Sequence, residues 1–332
     1  MAASPRRIAA DSCVRSCLGP VAGFGTATIS PMPTGQIGDS CVLWTGFDIS
    51  IVARNYAQLA GVLAGFAFVV INLVLDRAYR RRSDGKPRGA REVEHETLTG
   101  VALMNAFLGL FLSAVQYSLL AGENGCALTG GRAASAELLG GVSFVASVYM
   151  LLYAVVQFVS GSAGTLAKHC VFIVAVLVPP IAVFFIEATL SDLALAQADP
   201  KTHQPLQPLW DQANSLSVPI ALGVLIVCAA VWRIGRKRRG SPSFPGGHAQ
   251  RLRTAFPYVT VVVVISVVVR AVTVLPVRNP AAHLAPGEAW LWVAVFAVLM
   301  LIQSTALSLQ QGVELADADA DQPSQPPARP SS

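Results

Sequence analysis

Glu187 and Arg270 are ionisable residues set inside otherwise apolar runs, and such residues seldom persist in a membrane without a partner or a role. Counted from His169 at 1.5 Å per residue, Glu187 lies roughly 27 Å along a straight helix, near the far interface. Arg270 precedes Pro276 by six residues, about 9 Å below its own helix end by the same rise. At matching depth a carboxylate and a guanidinium can pair and lower each other's cost, or each can reach the headgroups separately. Glu137, Asp192, Asp211 and Glu288 collect toward the same side, with Trp210, Trp290 and Trp292 at that level. An interfacial aromatic belt accounts for the tryptophans. Glu137 and Glu288 open helices, where the dipole favours negative charge.

Uncharged polar residues form two further patterns. Asn105, Gly109, Ser113 and Gln116, with Tyr117 beside them, recur at helical spacing, so they share one face. Tyr149, Tyr153 and Gln157 stand at successive fours, and Ser143 and Ser147 make a neighbouring line. Polar groups are costly in hydrocarbon unless they pair or meet water, so both faces should look inward. Interhelical hydrogen bonds and a polar cavity explain them equally well.

The elements that must position these residues are seven apolar runs: Tyr56–Leu75, Gly100–Ala121, Glu137–Val159, Lys168–Leu190, Leu216–Trp232, Phe256–Leu275 and Ala289–Ser308. About 20 apolar residues cross the hydrocarbon core as a helix. Hydrophobic residues make up 53% of the chain and charged residues 13%, about half the charge content of an ordinary soluble domain. The reading is an all-α polytopic membrane protein, a seven-transmembrane-helix bundle. Basic residues cluster after the first span (Arg77, Arg80, Arg81, Arg82, Lys86, Arg88, Arg91) and after the fifth (Arg233, Arg236, Lys237, Arg238, Arg239, Arg251, Arg253), whereas loops on the other side carry only Arg132, Lys201 and Arg278. Basic residues stay cytoplasmic, which puts the N-terminus outside and the C-terminus in the cytoplasm. Residues 1–54 then form an external tail, 55–310 the membrane domain and 311–332 a disordered cytoplasmic tail, acidic and then rich in proline. Arg6 and Arg7 precede a stretch broken by Gly19, Pro20, Gly23 and Gly25, a poor signal peptide, and Met32 offers an alternative start. Abundant arginine, alanine and valine point to a GC-rich bacterial genome and hence to the cell membrane.

Within the spans, Pro179 and Pro180 remove backbone donors and predict a kink. Gly61 and Gly65, four apart among alanines, predict close helix packing inside the bundle or between copies. No cysteine has a histidine at ligand spacing, so no metal is expected, although a Cys41–Cys126 disulfide is chemically allowed on the outer side. Phosphate-binding glycine loops, dinucleotide fingerprints and zinc-protease motifs are missing, which leaves neither a cofactor nor nucleic acid as an expected partner. The seventh span has no lysine, so it cannot hold retinal as a Schiff base.

The segment Tyr56–Phe68, YAQLAGVLAGFAF, resembles the first helix of a large group of small bacterial seven-helix membrane proteins. Span count and chain size are also similar to those of membrane-bound terpene cyclases of secondary metabolism. The resemblance implies an isomerase- or lyase-type enzyme in which a membrane-buried carboxylic acid protonates an alkene or epoxide and aromatic walls guide the carbocation. No motif of that class matches residue by residue, so no catalytic residue is carried over. The residues present suit such chemistry: low dielectric favours the neutral acid, and aromatic faces stabilise cations. Glu187 is the first candidate acid, with Glu137 and Asp211 as alternatives. Asn105, Gln116, Tyr149, Tyr153, Phe184, Phe185, Arg270 and Trp290 are the candidate substrate contacts. The expected partners are membrane lipids and a lipophilic small molecule. Two other readings stand beside this one: a small-molecule transporter or channel using the polar faces of the second and third spans, and a sensor or structural protein without catalysis.

A reporter active only in the cytoplasm tests the orientation. It should be active when fused after Arg82 or Arg239 and silent when fused at Lys201; activity at Lys201 would overturn the arrangement.

Overall fold

The structure, a computed structural model, describes residues 49–83, 90–122, 127–160, 164–197, 207–237, 246–274 and 283–320. Its regular elements are all helical, and seven helices are long and apolar enough to span a membrane. In lipid no water is available to backbone N–H and C=O groups, so a spanning segment must bond them within itself. The helices are α1 (Ile49–Ser83), α2 (Ala90–Leu120), α3 (Ala127–Ser160), α4, α5 (Gln207–Lys237), α6 (Gly246–Val274) and α7 (Pro286–Ala320). The fourth is composite: Gly164–Phe172 and Val178–Ala196 flank a π-helical turn at Ile173–Leu177. We call upper the end of the bundle at which α1, α3, α5 and α7 begin.

The central helix is α3, which packs against α1, α2, α4, α6 and α7. Its span is 67% buried, against 17% for α1 and α5 at the periphery. The cause is side-chain size: Ala134, Ala136, Gly140, Gly141, Ser143, Ala146 and Ser147 let neighbouring backbones approach it. Where α2 crosses α3, a Cβ on Gly109 would lie 2.1 Å from Ser147 Oγ. One turn away, the Ser113 and Ser143 hydroxyls meet at 2.9 Å. At the lower end, a Cβ on Gly235 would come within 2.9 Å of the Ser308 carbonyl oxygen, which fixes the approach of α5 to α7.

Three expectations change at this level. Gly61 and Gly65 do not mediate packing inside the bundle: they lie on the exposed face of α1, with nothing within 4 Å of a Cβ at either. The buried face of α1 is made instead by Ala53, Ala60, Ala64 and Ala67, whose methyl groups are small enough for the same task. The stretch Glu314–Ala320, expected in a disordered tail, continues α7, because it is rich in good helix formers and has no proline before Pro323. The arginine-rich end of α1 is likewise helical: Arg80 pairs with Asp76 at 2.9 Å, and Arg77 lies 4.6 Å from the centre of the Phe158 ring. Cys41, Cys126, Lys201, Arg278 and Gln322–Ser332 lie outside the described residues.

Candidate functional site

The composite helix α4 carries the acid of most interest and has the most unusual backbone. In its π turn the Val178 N–H donates to the Ile173 carbonyl, five residues back. Continued in that register, residues 179 and 180 would donate to Val174 and Ala175. Both are prolines and have no N–H. Two of the carbonyls left over are taken by side chains of other helices. Tyr149 Oη on α3 donates to Val174 O at 2.9 Å, and Ser304 Oγ on α7 donates to Ala175 O. Tyr149, expected to line a substrate cavity, is thus committed to the backbone of α4.

Above this turn α4 presents two faces. Ile181, Phe184, Phe185 and Ala188 point outward, with Phe184 42% and Phe185 59% exposed. They face the surroundings of the bundle, as apolar side chains at a lipid boundary do, and do not wall an interior cavity. Glu187 lies on the inner side at 0% exposure, and neither carboxyl oxygen has a hydrogen-bond partner among the described residues.

Arg270 does not meet Glu187. Its Nε and Nη2 donate to Glu288 Oε1 and Oε2 at 2.6 and 2.9 Å, the bidentate geometry that guanidinium favours. The physical reason is chain proximity: α6 ends and α7 begins at the upper end, so residues 18 apart in sequence meet there, while α4 turns Glu187 inward. Trp290, two residues along α7 from Glu288, donates to Gln212 Oε1 on α5 at 3.1 Å. Asp211 is exposed, so it belongs to the surface of the upper end.

A second acid occupies the upper part of α3. Glu137 is 6% exposed, and its Oε2 has no partner among the described residues. One turn further along α3, a Cβ on Gly140 would lie 3.1 Å from Cζ of Tyr117, so the α2 tyrosine rests on the glycine surface. Gly141 sits between two neighbours: a Cβ there would be 3.2 Å from Ile186 Cδ1 and 3.9 Å from Tyr117 Oη. Tyr117 stacks on Tyr56 at 5.2 Å between centroids, and Phe144 meets both rings edge-on, at 5.6 and 6.3 Å. An aromatic cluster therefore stands on the same α3 turn that Ile186, the neighbour of Glu187, packs against. Gln116 completes it, donating to Ala136 O at 3.3 Å and leaving its own buried Oε1 without a partner among the described residues.

The polar stripes resolve mainly into interhelical ties. Asn105 donates to Pro257 O on α6 at 3.1 Å, and Gln303 on α7 donates to Thr260 on α6 at 3.1 Å. Tyr153 is buried with its ring edge-on to Phe256 at 5.0 Å. Tyr56, Phe144, Thr260, Gln303 and Ser304 were not singled out in the sequence. Thr260, Gln303 and Ser304 carried a usable signal as polar residues inside apolar spans. Tyr56 and Phe144 carried none, because aromatic residues are common in any span. Among the described residues no group of three or more His, Cys, Asp or Glu side chains could hold a metal ion.

No protein-family model, no curated protein and no solved structure matches this chain.

The ion-pair assignment is testable by a double-mutant cycle on stability in membranes or detergent. Arg270→Met and Glu288→Gln should each destabilise, with a coupling energy of about 2 kcal/mol, as for hydrogen bonds to charged groups. Arg270→Met and Glu187→Gln should add within about 0.5 kcal/mol; coupling between them would restore the rejected pair.

Proposed function

We propose that this protein is an integral membrane enzyme that protonates and cyclises a lipophilic, prenyl-type substrate, with Glu187 as the proton donor. The observation that carries the reading is the isolation of Glu187, fully buried with both oxygens unpartnered among the described residues. An ionised carboxylate in such a place would stand uncompensated, and the neutral acid is the form the site tolerates. Arg270, the cation that depth along the helices matches to Glu187, is engaged by Glu288. Proton donation to an alkene or epoxide needs a neutral acid sheltered from water. The cation so formed needs aromatic faces, which Tyr117, Tyr56 and Phe144 offer one helix contact away. After ring closure the cation loses a proton to the Glu187 carboxylate, which restores the acid and leaves the mass unchanged. Tyr56 is 37% exposed on α1, which gives a lipid-borne chain a route to the cluster. Glu137, on that cluster's own helix turn, is the second candidate acid.

A second reading, a proton-linked carrier of a small solute, is favoured by a different observation. Buried Gln116, Ser113, Ser143, Ser147, Thr260 and Gln303 distribute polar groups through α2, α3, α6 and α7, and such chains of polar groups mark solute or proton paths in other membrane bundles.

The two are separated by supplying membranes that contain the protein with linear farnesyl- and geranylgeranyl-bearing compounds and analysing for cyclic isomers of unchanged mass. Product should form, and Glu187→Gln should lower its rate on the order of 100-fold or more at equal protein level. Full activity in both Glu187→Gln and Glu137→Gln would remove these acids from the mechanism. No product from any prenylated compound, together with proton-dependent solute uptake into vesicles, would establish the carrier.

A further inference from the structure

The π turn of α4 sets which way Glu187 faces. A π turn holds one residue more than an α turn, so everything beyond it lags by one residue, or about 100° of rotation. Were Ile173–Leu177 to close into a regular α-helix while the lower half of α4 stayed in place, Glu187 would move to the angular position now held by Ala188. That position lies on the outward face, with Ile181, Phe184 and Phe185. The same closure would shift the carbonyls orphaned by Pro179 and Pro180 from Val174 and Ala175 to Ala175 and Val176, since donors would then reach four residues back. The hydroxyls of Tyr149 and Ser304 are bonded to the first set. Ala175 O is open in both registers, so the Ser304 bond suits either one, whereas the Tyr149 bond to Val174 O matches the π register alone.

We propose that Tyr149 is a positioning residue for Glu187: by bonding the Val174 carbonyl it holds α4 in the π register, which keeps the Glu187 carboxyl inside the bundle and off the lipid face. The relevance to catalysis rests on the acid role proposed above. The register itself does not, and it is read without any substrate.

The test uses a lipophilic carbodiimide, which adds covalently to a neutral carboxyl group reached from the bilayer, with the modified residue located by mass spectrometry of the full-length protein in membranes. In the unaltered protein Glu187 should be modified slowly. In Tyr149→Phe its rate should rise on the order of tenfold, as the lipid-facing register becomes populated. Pro179→Ala/Pro180→Ala, which restores the donors that a regular helix needs and keeps both hydroxyls, should raise it as well and covers the case in which the first variant does not accumulate. Deleting Leu177 in either background removes the extra residue and should return Glu187 to slow modification. Glu137 on α3 should keep its original rate throughout, which distinguishes a register change from general loosening. An unchanged Glu187 rate in both variants, or no protection on deleting Leu177, would overturn the proposal. Absence of cyclised product in the preceding assay would not bear on it.

Discussion

Hydrocarbon offers no water to a broken helix, and this constraint shapes the interior of the bundle. Pro179 and Pro180 leave α4 short of two donors in the middle of its span. A bare carbonyl in lipid costs several kcal/mol, and here two hydroxyls from different helices meet the demand. The consequence is architectural. Tyr149 ties α3 to α4 and Ser304 ties α7 to α4, so three helices are joined at one turn. The small residues of α3 let that helix come close enough for the tie to form. Polar bonding and close packing act together here, as expected where helix association lacks a hydrophobic drive.

The same turn precedes the stretch of α4 that holds Glu187 apart from Arg270. Above it α4 presents phenylalanines outward and Glu187 inward, so the carboxyl group is held away from the headgroups. Arg270 and Glu288 close their own pair at the upper ends of α6 and α7, where partial exposure lets water and lipid headgroups share the charge. One carboxylate is therefore neutralised by a partner, and another is buried with neither oxygen hydrogen-bonded among the described residues.

The architecture was legible in the sequence because the span signal is strong: long apolar runs leave helices as the economical solution. The disturbance at Pro179 and Pro180 was also legible as a kink. Its form was not, since a π turn depends on which hydroxyls lie opposite, and those come from residues 25 and 129 positions away from their acceptors. Glu187 could be placed by depth along its helix but not by azimuth, because the extra residue in the turn rotates it. For the same reason Phe184 and Phe185 were read as inward and face outward. Arg270 was matched to an acid by depth alone. Its real partner is Glu288, whose place at the start of α7 the helix dipole also favours.

The central claim is that the hydroxyls are needed because the prolines lack donors, and a stability cycle measures that dependence directly. Tyr149→Phe should destabilise the protein by about 1–2 kcal/mol, the scale of one interhelical hydrogen bond in a membrane. In the Pro179→Ala/Pro180→Ala background, where the helix supplies its own donors, the same change should be neutral or stabilising. Equal destabilisation in both backgrounds would show that Tyr149 acts independently of the missing N–H groups and would contradict this account of α4.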